Sequence, residues 1–74
     1  MNGEHMCPVC GRTKFPMMGS YENCFVCGWE DDGTQTRDPD FTGGANGMSL
    51  NMYKAKYESG WRPEWLKEYL KKER

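Results

Sequence analysis

The sequence has few of the features that mark membrane-spanning, secreted or strongly basic proteins. No apolar run approaches the roughly 20 residues that a membrane-spanning helix needs. The first ten residues, MNGEHMCPVC, contain neither the basic stretch nor the apolar stretch of a secretory signal. We therefore expect a cytoplasmic protein with no membrane partner, in a compartment where thiols stay reduced.

The chain is also short of material for a large core. Its 74 residues allow a single domain, and a domain of this size buries only a modest part of its surface. Small domains therefore usually carry a covalent or metal staple. Histidine occurs once and cysteine four times, so the cysteines are the only staple that the sequence offers.

The four cysteines lie in two copies of the phrase Cys-x-Val-Cys-Gly, CPVCG and CFVCG, each of which we call a knuckle. Two thiolates three positions apart can face one ion at about 2.3 Å, and two such pairs make the closed tetrahedral set of structural zinc. Gly11 and Gly28 suit the left-handed conformation in which the chain leaves each knuckle. The spacing predicts one structural Zn²⁺ per chain, with the ligands Cys7, Cys10, Cys24 and Cys27.

Other uses of these residues are open or disfavoured. Iron in a rubredoxin-like site uses the same knuckles and stays open, whereas two disulfides would require an oxidising compartment. Catalytic zinc keeps one ligand position for water, so four thiolates predict a protein that is not an enzyme. We expect His5 to be solvated rather than a fifth ligand. Residues 1–6 are interpreted as disordered or derived from an expression tag.

The predicted fold is a small, metal-stapled α+β domain. The 13 residues from Gly11 to Asn23 leave room for a zinc-ribbon-like hairpin with arms 11–18 and 21–25 and a turn at 19–20. Pro16 restricts the first arm to an edge or irregular strand. One or two short C-terminal helices follow: a helix from Ser49 to about Ser59, and a second starting at Pro63. We assign residues 7–60 to the zinc-binding domain and 61–74 to an amphipathic helix packed on it.

An acidic cluster follows the second knuckle. Residues 1–48 carry three bases against seven acids, a net charge of −4, whereas residues 49–74 carry a net charge of +3. A solvated turn explains the cluster, since the spacing does not match a calcium-binding loop. It is also a candidate surface for a basic protein partner, formed by Trp29, Glu30, Asp31, Asp32, Asp38 and Asp40. We interpret the glycine-rich TGGANG that follows as a structural turn rather than an anion site.

The runs CPVCG, GSYENCFVCGWEDDGTQ and DPDFTGGANGMSL closely resemble the cysteine-rich CPCC domain family. The resemblance covers Cys7 to about Tyr57, and Val9 replaces the middle cysteine of the family's name-giving Cys-Pro-Cys-Cys. It implies a zinc-ribbon-like domain of a bacterium or phage, and it implies no activity. Since Val9 is not a cysteine, the resemblance supports the four-cysteine ligand set.

The C-terminal segment combines an apolar stripe with basic residues. Trp65, Leu66, Tyr69 and Leu70 share one helix face. This face either completes the core or binds a partner, and its candidate partner-binding residues are Trp61, Trp65 and Tyr69. Binding of nucleic acid by the basic residues is disfavoured, because the whole chain has a net charge of −1.

Together these observations predict a non-catalytic zinc protein that acts as a protein–protein interaction module. The alternatives are a rubredoxin-like iron protein that transfers electrons and a weak nucleic-acid binder.

Overall fold

The computed structural model describes residues 3–72, which form two short strands and three helices. The strands are β1 (His5–Met6) and β2 (Lys14–Phe15), and the helices are α1 (Gly33–Arg37), α2 (Leu50–Glu58) and α3 (Glu64–Lys72). The helices follow the cysteine-bearing segment, as predicted for a small α+β fold. Within the described residues, no helix has the length and apolar character needed to cross a membrane.

The strands flank the knuckles instead of joining them. β1 pairs antiparallel with β2, with His5 opposite Phe15, so this hairpin encloses the first knuckle, residues 7–11. An isolated bridge between Asn23 and Glu30 flanks the second knuckle, residues 24–28, in the same way. The predicted pairing of arms 11–18 and 21–25 is therefore wrong. Each knuckle reverses the chain by itself, so the residues on its two sides are the ones brought face to face.

Helix α2 lies against the second knuckle and confirms the predicted helix after Ser49. The Ser49 hydroxyl accepts a hydrogen bond from the Met52 amide, which caps the first turn. From the buried face of α2, Tyr53 donates a hydrogen bond to the carbonyl of Cys27 at 3.0 Å. Its ring meets the fully buried Trp29 edge to face, with centroids 5.1 Å apart. This contact joins the helix to the cysteine cluster through one core.

Helix α3 begins at Glu64 and is anchored by one side chain of its predicted stripe. Leu66 is fully buried, whereas Trp65, Tyr69 and Leu70 are 41%, 37% and 46% exposed. Trp65 and Tyr69 instead contact the ring of Phe25 in the second knuckle, at centroid distances of 6.0 and 4.8 Å. The stripe therefore docks in part and leaves an aromatic face open to solvent.

The N-terminal segment differs from the expected disorder. His5 and Met6 form β1, because their backbone pairs with β2 and His5 contacts the buried Asp31. Residues 1 and 2, and residues 73 and 74 at the end of the predicted C-terminal helix, lie outside the described part of the chain. The origin of residues 1–6 in an expression tag stays a prediction. The domain boundary at residue 60 also stays a prediction.

Candidate metal centre

The two knuckles share one backbone geometry. In the first, the Gly11 amide donates to the Cys7 carbonyl at 2.9 Å, and in the second the Gly28 amide donates to the Cys24 carbonyl at 2.8 Å. Both glycines have a positive φ, 68° and 89°, as the sequence predicted. The chain thus turns tightly around each cysteine pair and directs both sulfurs inward.

The four cysteine sulfurs form one cluster, with every Sγ within 4.8 Å of the others. Cys7 and Cys27 are 3.6 Å apart at sulfur, and so are Cys10 and Cys24. A tetrahedral ion with metal–sulfur bonds of about 2.3 Å requires sulfurs roughly 3.8 Å apart. The donor set and its spacing therefore fit a single tetrahedral metal ion, bound by ligands from both knuckles.

Backbone amides surround the sulfurs. The amides of Val26 and Cys27 donate to the Cys24 sulfur at 3.4 and 3.5 Å, and the Arg12 amide donates to Cys10 at 3.4 Å. The Thr13 hydroxyl oxygen lies 3.1 Å from the Cys24 sulfur. Such donors reduce the negative charge that a set of four thiolates would otherwise concentrate in one place.

The sulfurs also shift one another's protonation. Hydrogen bonds from the Cys27 and Cys7 thiols hold the pKa of Cys24 well below its usual range. The hydrogen bond to Cys24, together with burial, raises the pKa of Cys7 to about 12, and contact with Cys24 likewise raises the pKa of Cys27. In the absence of a metal, the sulfurs share protons through these contacts. A bound metal would displace those protons, since it binds thiolates.

The sulfur cluster is largely buried. Cys7, Cys24 and Cys27 are at most 2% exposed, and Cys10 is half-buried. Residues 3–72 contain no other group of three or more side chains that could together hold a metal. The structure thus brings together all four predicted ligands and places no calcium-type site in the acidic cluster.

His5 is largely buried and faces a carboxylate rather than solvent. Its Nε2 lies 3.1 Å from Oδ1 of Asp31, and its side chain is only 17% exposed. The other carboxylate oxygen of Asp31 accepts hydrogen bonds from the Ser20 amide at 3.0 Å and the Ser20 hydroxyl at 2.8 Å. The expectation of a solvated histidine is wrong because the side chain faces a fully buried carboxylate.

Half of the predicted acidic surface is buried. Trp29, Asp31 and Asp32 are 0%, 0% and 4% exposed, so they cannot belong to a partner-binding surface. Asp32 caps α1 by accepting from the amides of Thr34 and Gln35, and its second oxygen accepts from the Ala45 amide. Backbone donors satisfy both oxygens of Asp32, whereas Asp31 accepts hydrogen bonds at one oxygen and faces His5 with the other. Of the other predicted residues, Asp38 and Asp40 are exposed and Glu30 is half-buried.

Two polar residues that the sequence analysis did not single out link these elements. The Gln35 amide nitrogen donates to the carbonyls of Phe41 and Met48, and its oxygen accepts from Asn46. Asn46 in turn exchanges two hydrogen bonds with the backbone of Glu30. The sequence carries one signal for these two residues, because each is a polar residue close to glycine, in GTQ and in GGANG. The interpretation of the glycine-rich segment as a structural turn agrees with this network.

The predicted helix face divides between two environments. Trp61 and Trp65 line a cavity of about 390 Å³ beside the second knuckle, together with Glu30. Tyr69 lies outside this cavity lining, against Phe25. The structure therefore brings one member of the acidic cluster next to two members of the helix face.

A family model described as Cysteine-rich CPCC matches residues 5–61. The match begins in β1, includes both knuckles and the Gln35–Asn46 network, and ends before α3. No similar sequence was found among curated proteins.

Proposed function

Because the chain belongs to the cysteine-rich CPCC family, we propose that it is a non-catalytic protein folded around one structural zinc ion and used to bind another protein. The thiolates of Cys7, Cys10, Cys24 and Cys27 hold the ion. The observation that carries this proposal is the closed set of four sulfurs, each within 4.8 Å of the others.

Zinc in such a site supplies folding free energy, on the order of 10 kcal/mol in small zinc domains. The four ligands leave no position for a substrate or a reactive water, which supports a structural rather than a catalytic ion. The fold agrees with this assignment, since its strands are only two residues long and its core contains three of the four cysteines.

Binding to another protein is supported by an exposed apolar patch. Phe25 and Val26 of the second knuckle are 52% and 37% exposed, and Phe25 contacts the rings of Trp65 and Tyr69 of α3, which are 41% and 37% exposed. Contiguous exposed apolar groups of this kind mark interaction sites in small soluble proteins. The face that the sequence analysis named as a candidate therefore extends onto the knuckle itself.

Native mass spectrometry of protein purified without chelators tests the metal. We expect one zinc ion per chain, and loss of both zinc and the circular dichroism of the fold in Cys27→Ser. Val26→Ser is the matched control, because it changes an exposed residue of the same knuckle and keeps every sulfur. A metal-free chain with an unchanged spectrum would refute the proposal.

Iron is the second candidate, favoured by the half-buried position of Cys10, which brings one sulfur close to the surface. An electron-transfer centre needs such an edge, whereas a structural zinc site does not. Iron in the native mass spectrum, with a reversible redox wave, would establish this alternative.

A further inference from the structure

The cavity of about 390 Å³ lies where the second knuckle, the glycine-rich segment and the junction of α2 and α3 meet. Its volume falls in the range of about 300–1,000 Å³ that is usual for ligand pockets. Aromatic side chains supply much of its wall, namely those of Tyr53, Trp61 and Trp65. Its chemistry therefore depends on the few polar groups among them.

Among residues 3–72, Glu30 is the only charged residue that lines the cavity. Its backbone amide and carbonyl are both bonded to Asn46, which fixes its position. Its carboxylate forms no hydrogen bond and no ion pair with any residue between 3 and 72. A half-buried carboxylate without a partner attracts a cation, since burial strengthens its charge interactions.

The indole rings add a second preference for positive charge. A cation over an indole face is attracted by the electrons of the ring. Trp61 already shows this preference, because Nζ of Lys56 lies 5.2 Å from its ring centroid. Trp65 is 41% exposed and lines the cavity from α3. The pocket thus combines two indoles with one free carboxylate.

We propose that this pocket binds an arginine side chain of a partner protein. A guanidinium is planar, so it stacks on an indole while its edge donates two hydrogen bonds to a carboxylate. A lysine ammonium is more strongly hydrated and matches this pairing of ring and carboxylate less well. The inference rests on the proposed function, because the second knuckle that forms part of the wall depends on the metal.

A protein is the source of the guanidinium because the pocket continues into the exposed patch. Trp65 lines the cavity and also contacts Phe25, which is 52% exposed. A segment with an arginine beside apolar residues would fill the pocket and cover the patch together. The carboxylate of Glu30, a member of the pocket lining, supplies the negative charge that complements the arginine.

The test uses metal-loaded protein and two neutral-ended amino-acid probes, N-acetyl-arginine amide and N-acetyl-citrulline amide. Citrulline has nearly the same shape as arginine but carries no charge. We expect the arginine probe to shift the indole N–H resonances of Trp61 and Trp65 in a nuclear magnetic resonance titration, and the citrulline probe to shift them far less. Equal responses to the two probes would overturn the proposal.

Glu30→Gln should weaken binding of the arginine probe by about tenfold, the usual scale for losing a charge-assisted pair. Glu22→Gln is the matched control, because Glu22 is exposed and lies outside the cavity lining. Trp65→Leu should weaken binding as well, and unchanged binding in both Glu30→Gln and Trp65→Leu would overturn the proposal. A lysine probe that binds more tightly than arginine would also overturn it.

Native mass spectra of the same samples separate this proposal from the metal assignment. Probe binding by a zinc-loaded chain supports both, whereas a zinc-loaded chain that ignores the probe refutes only the arginine pocket. Probe binding by a folded chain without metal supports the pocket and refutes the structural zinc. If a second copy of this chain fills the pocket, sedimentation velocity will show a dimer that Glu30→Gln dissociates. This result would overturn the proposal that the arginine belongs to a different protein.

Discussion

Nε2 of His5 lies 3.1 Å from Oδ1 of Asp31, and this contact joins the strand before the first knuckle to the segment after the second. The two residues are 26 positions apart in the sequence, one before the first knuckle and the other after the second. Asp31 also accepts two hydrogen bonds from Ser20, between the knuckles. A single buried carboxylate therefore ties together three segments that the metal alone would join only through its ligands.

Asp31→Asn should lower the free energy of unfolding of the metal-loaded protein by about 1–3 kcal/mol, since one of the two oxygens that face Ser20 and His5 becomes an NH2 group, which cannot accept a hydrogen bond. His5→Gln should cost less, and the double variant should cost less than the sum of the two, because both changes disrupt one contact. Urea unfolding measures all three. Asp38→Asn, at an exposed carboxylate, is the control, and additive effects of His5→Gln and Asp31→Asn would contradict the coupling.

Asn46→Ala should be among the most damaging single changes outside the knuckles. The Asn46 side chain accepts a hydrogen bond from the Glu30 amide and donates one to the Glu30 carbonyl. The side chain of alanine has no polar atom, so it makes neither hydrogen bond. We expect a loss of about 2 kcal/mol or more in urea unfolding, from two or three broken hydrogen bonds in a partly buried site. Asn51→Ala is the matched control, since the described side-chain hydrogen bond of Asn51 goes to the exposed Asp40. Equal losses in the two variants would show that the network contributes little.

The sequence was sufficient to predict the knuckles, their ligands and α2, because each depends on local spacing. Cys-x-x-Cys-Gly determines its own turn, and Ser49 and Gly60 bound α2 within a residue or two. The cluster of four sulfurs follows from the same spacing, since two knuckles can share an ion only by facing each other.

The predictions that failed concern contacts between distant segments. The strand pairing depends on which residues a knuckle brings opposite each other, and not on strand propensity in 11–18 and 21–25. The sequence predicted a solvated turn at Asp31 and Asp32, because acidic residues near glycine usually lie in exposed turns. Asp31 accepts from Ser20, and Asp32 accepts from Ala45 in addition to the amides of its own helix; Ser20 and Ala45 are 11 and 13 positions away, so no local pattern connects them to these carboxylates.

Gly28→Ala should destabilise the protein more than Gly11→Ala, although both glycines occupy the same knuckle position. Each substitution forces alanine into a positive φ, at a cost of roughly 1–2 kcal/mol. At Gly11 the new methyl group meets nothing within 4 Å, whereas at Gly28 it would collide with Pro63 and the Tyr53 hydroxyl. Thermal unfolding of the two metal-loaded variants compares them directly. Equal melting temperatures would mean that the segment before α3 does not pack tightly on the second knuckle.

Leu66→Ala should release α3, while Leu70→Ala should leave it in place. Leu66 is fully buried and Leu70 is 46% exposed on the same helix, so the pair separates burial from helix propensity. Removing a buried leucine costs about 2–5 kcal/mol, which is more than a nine-residue helix can recover by itself. Hydrogen exchange of the α3 amides measures the effect. Unchanged protection in Leu66→Ala would show that the aromatic contacts with Phe25 suffice to hold the helix.

Tyr53 should make the protein sensitive to alkaline pH. Burial, with a further contribution from the charge of the Cys27 sulfur, raises the pKa of Tyr53 well above its usual value, so the folded protein favours the neutral phenol. A group of this kind contributes its full stability below the ordinary tyrosine pKa of about 10. That stability is lost as the pH rises from about 10 toward the raised pKa of the folded state, because the unfolded chain ionises first.

Tyr53→Phe removes both the titrating group and its hydrogen bond to the Cys27 carbonyl. At neutral pH we therefore expect a loss of about 1 kcal/mol in the free energy of unfolding. Above pH 10 the difference between Tyr53→Phe and the parent protein should shrink, since only the parent has an ionisable group at this position. Tyr21→Phe, at a side chain that is 56% exposed, is the matched control and should follow the parent protein at every pH. If the difference in the free energy of unfolding stays constant from pH 7 to 11, the phenol of Tyr53 ionises equally in the folded and unfolded states. Any loss of stability at alkaline pH must then arise from other groups.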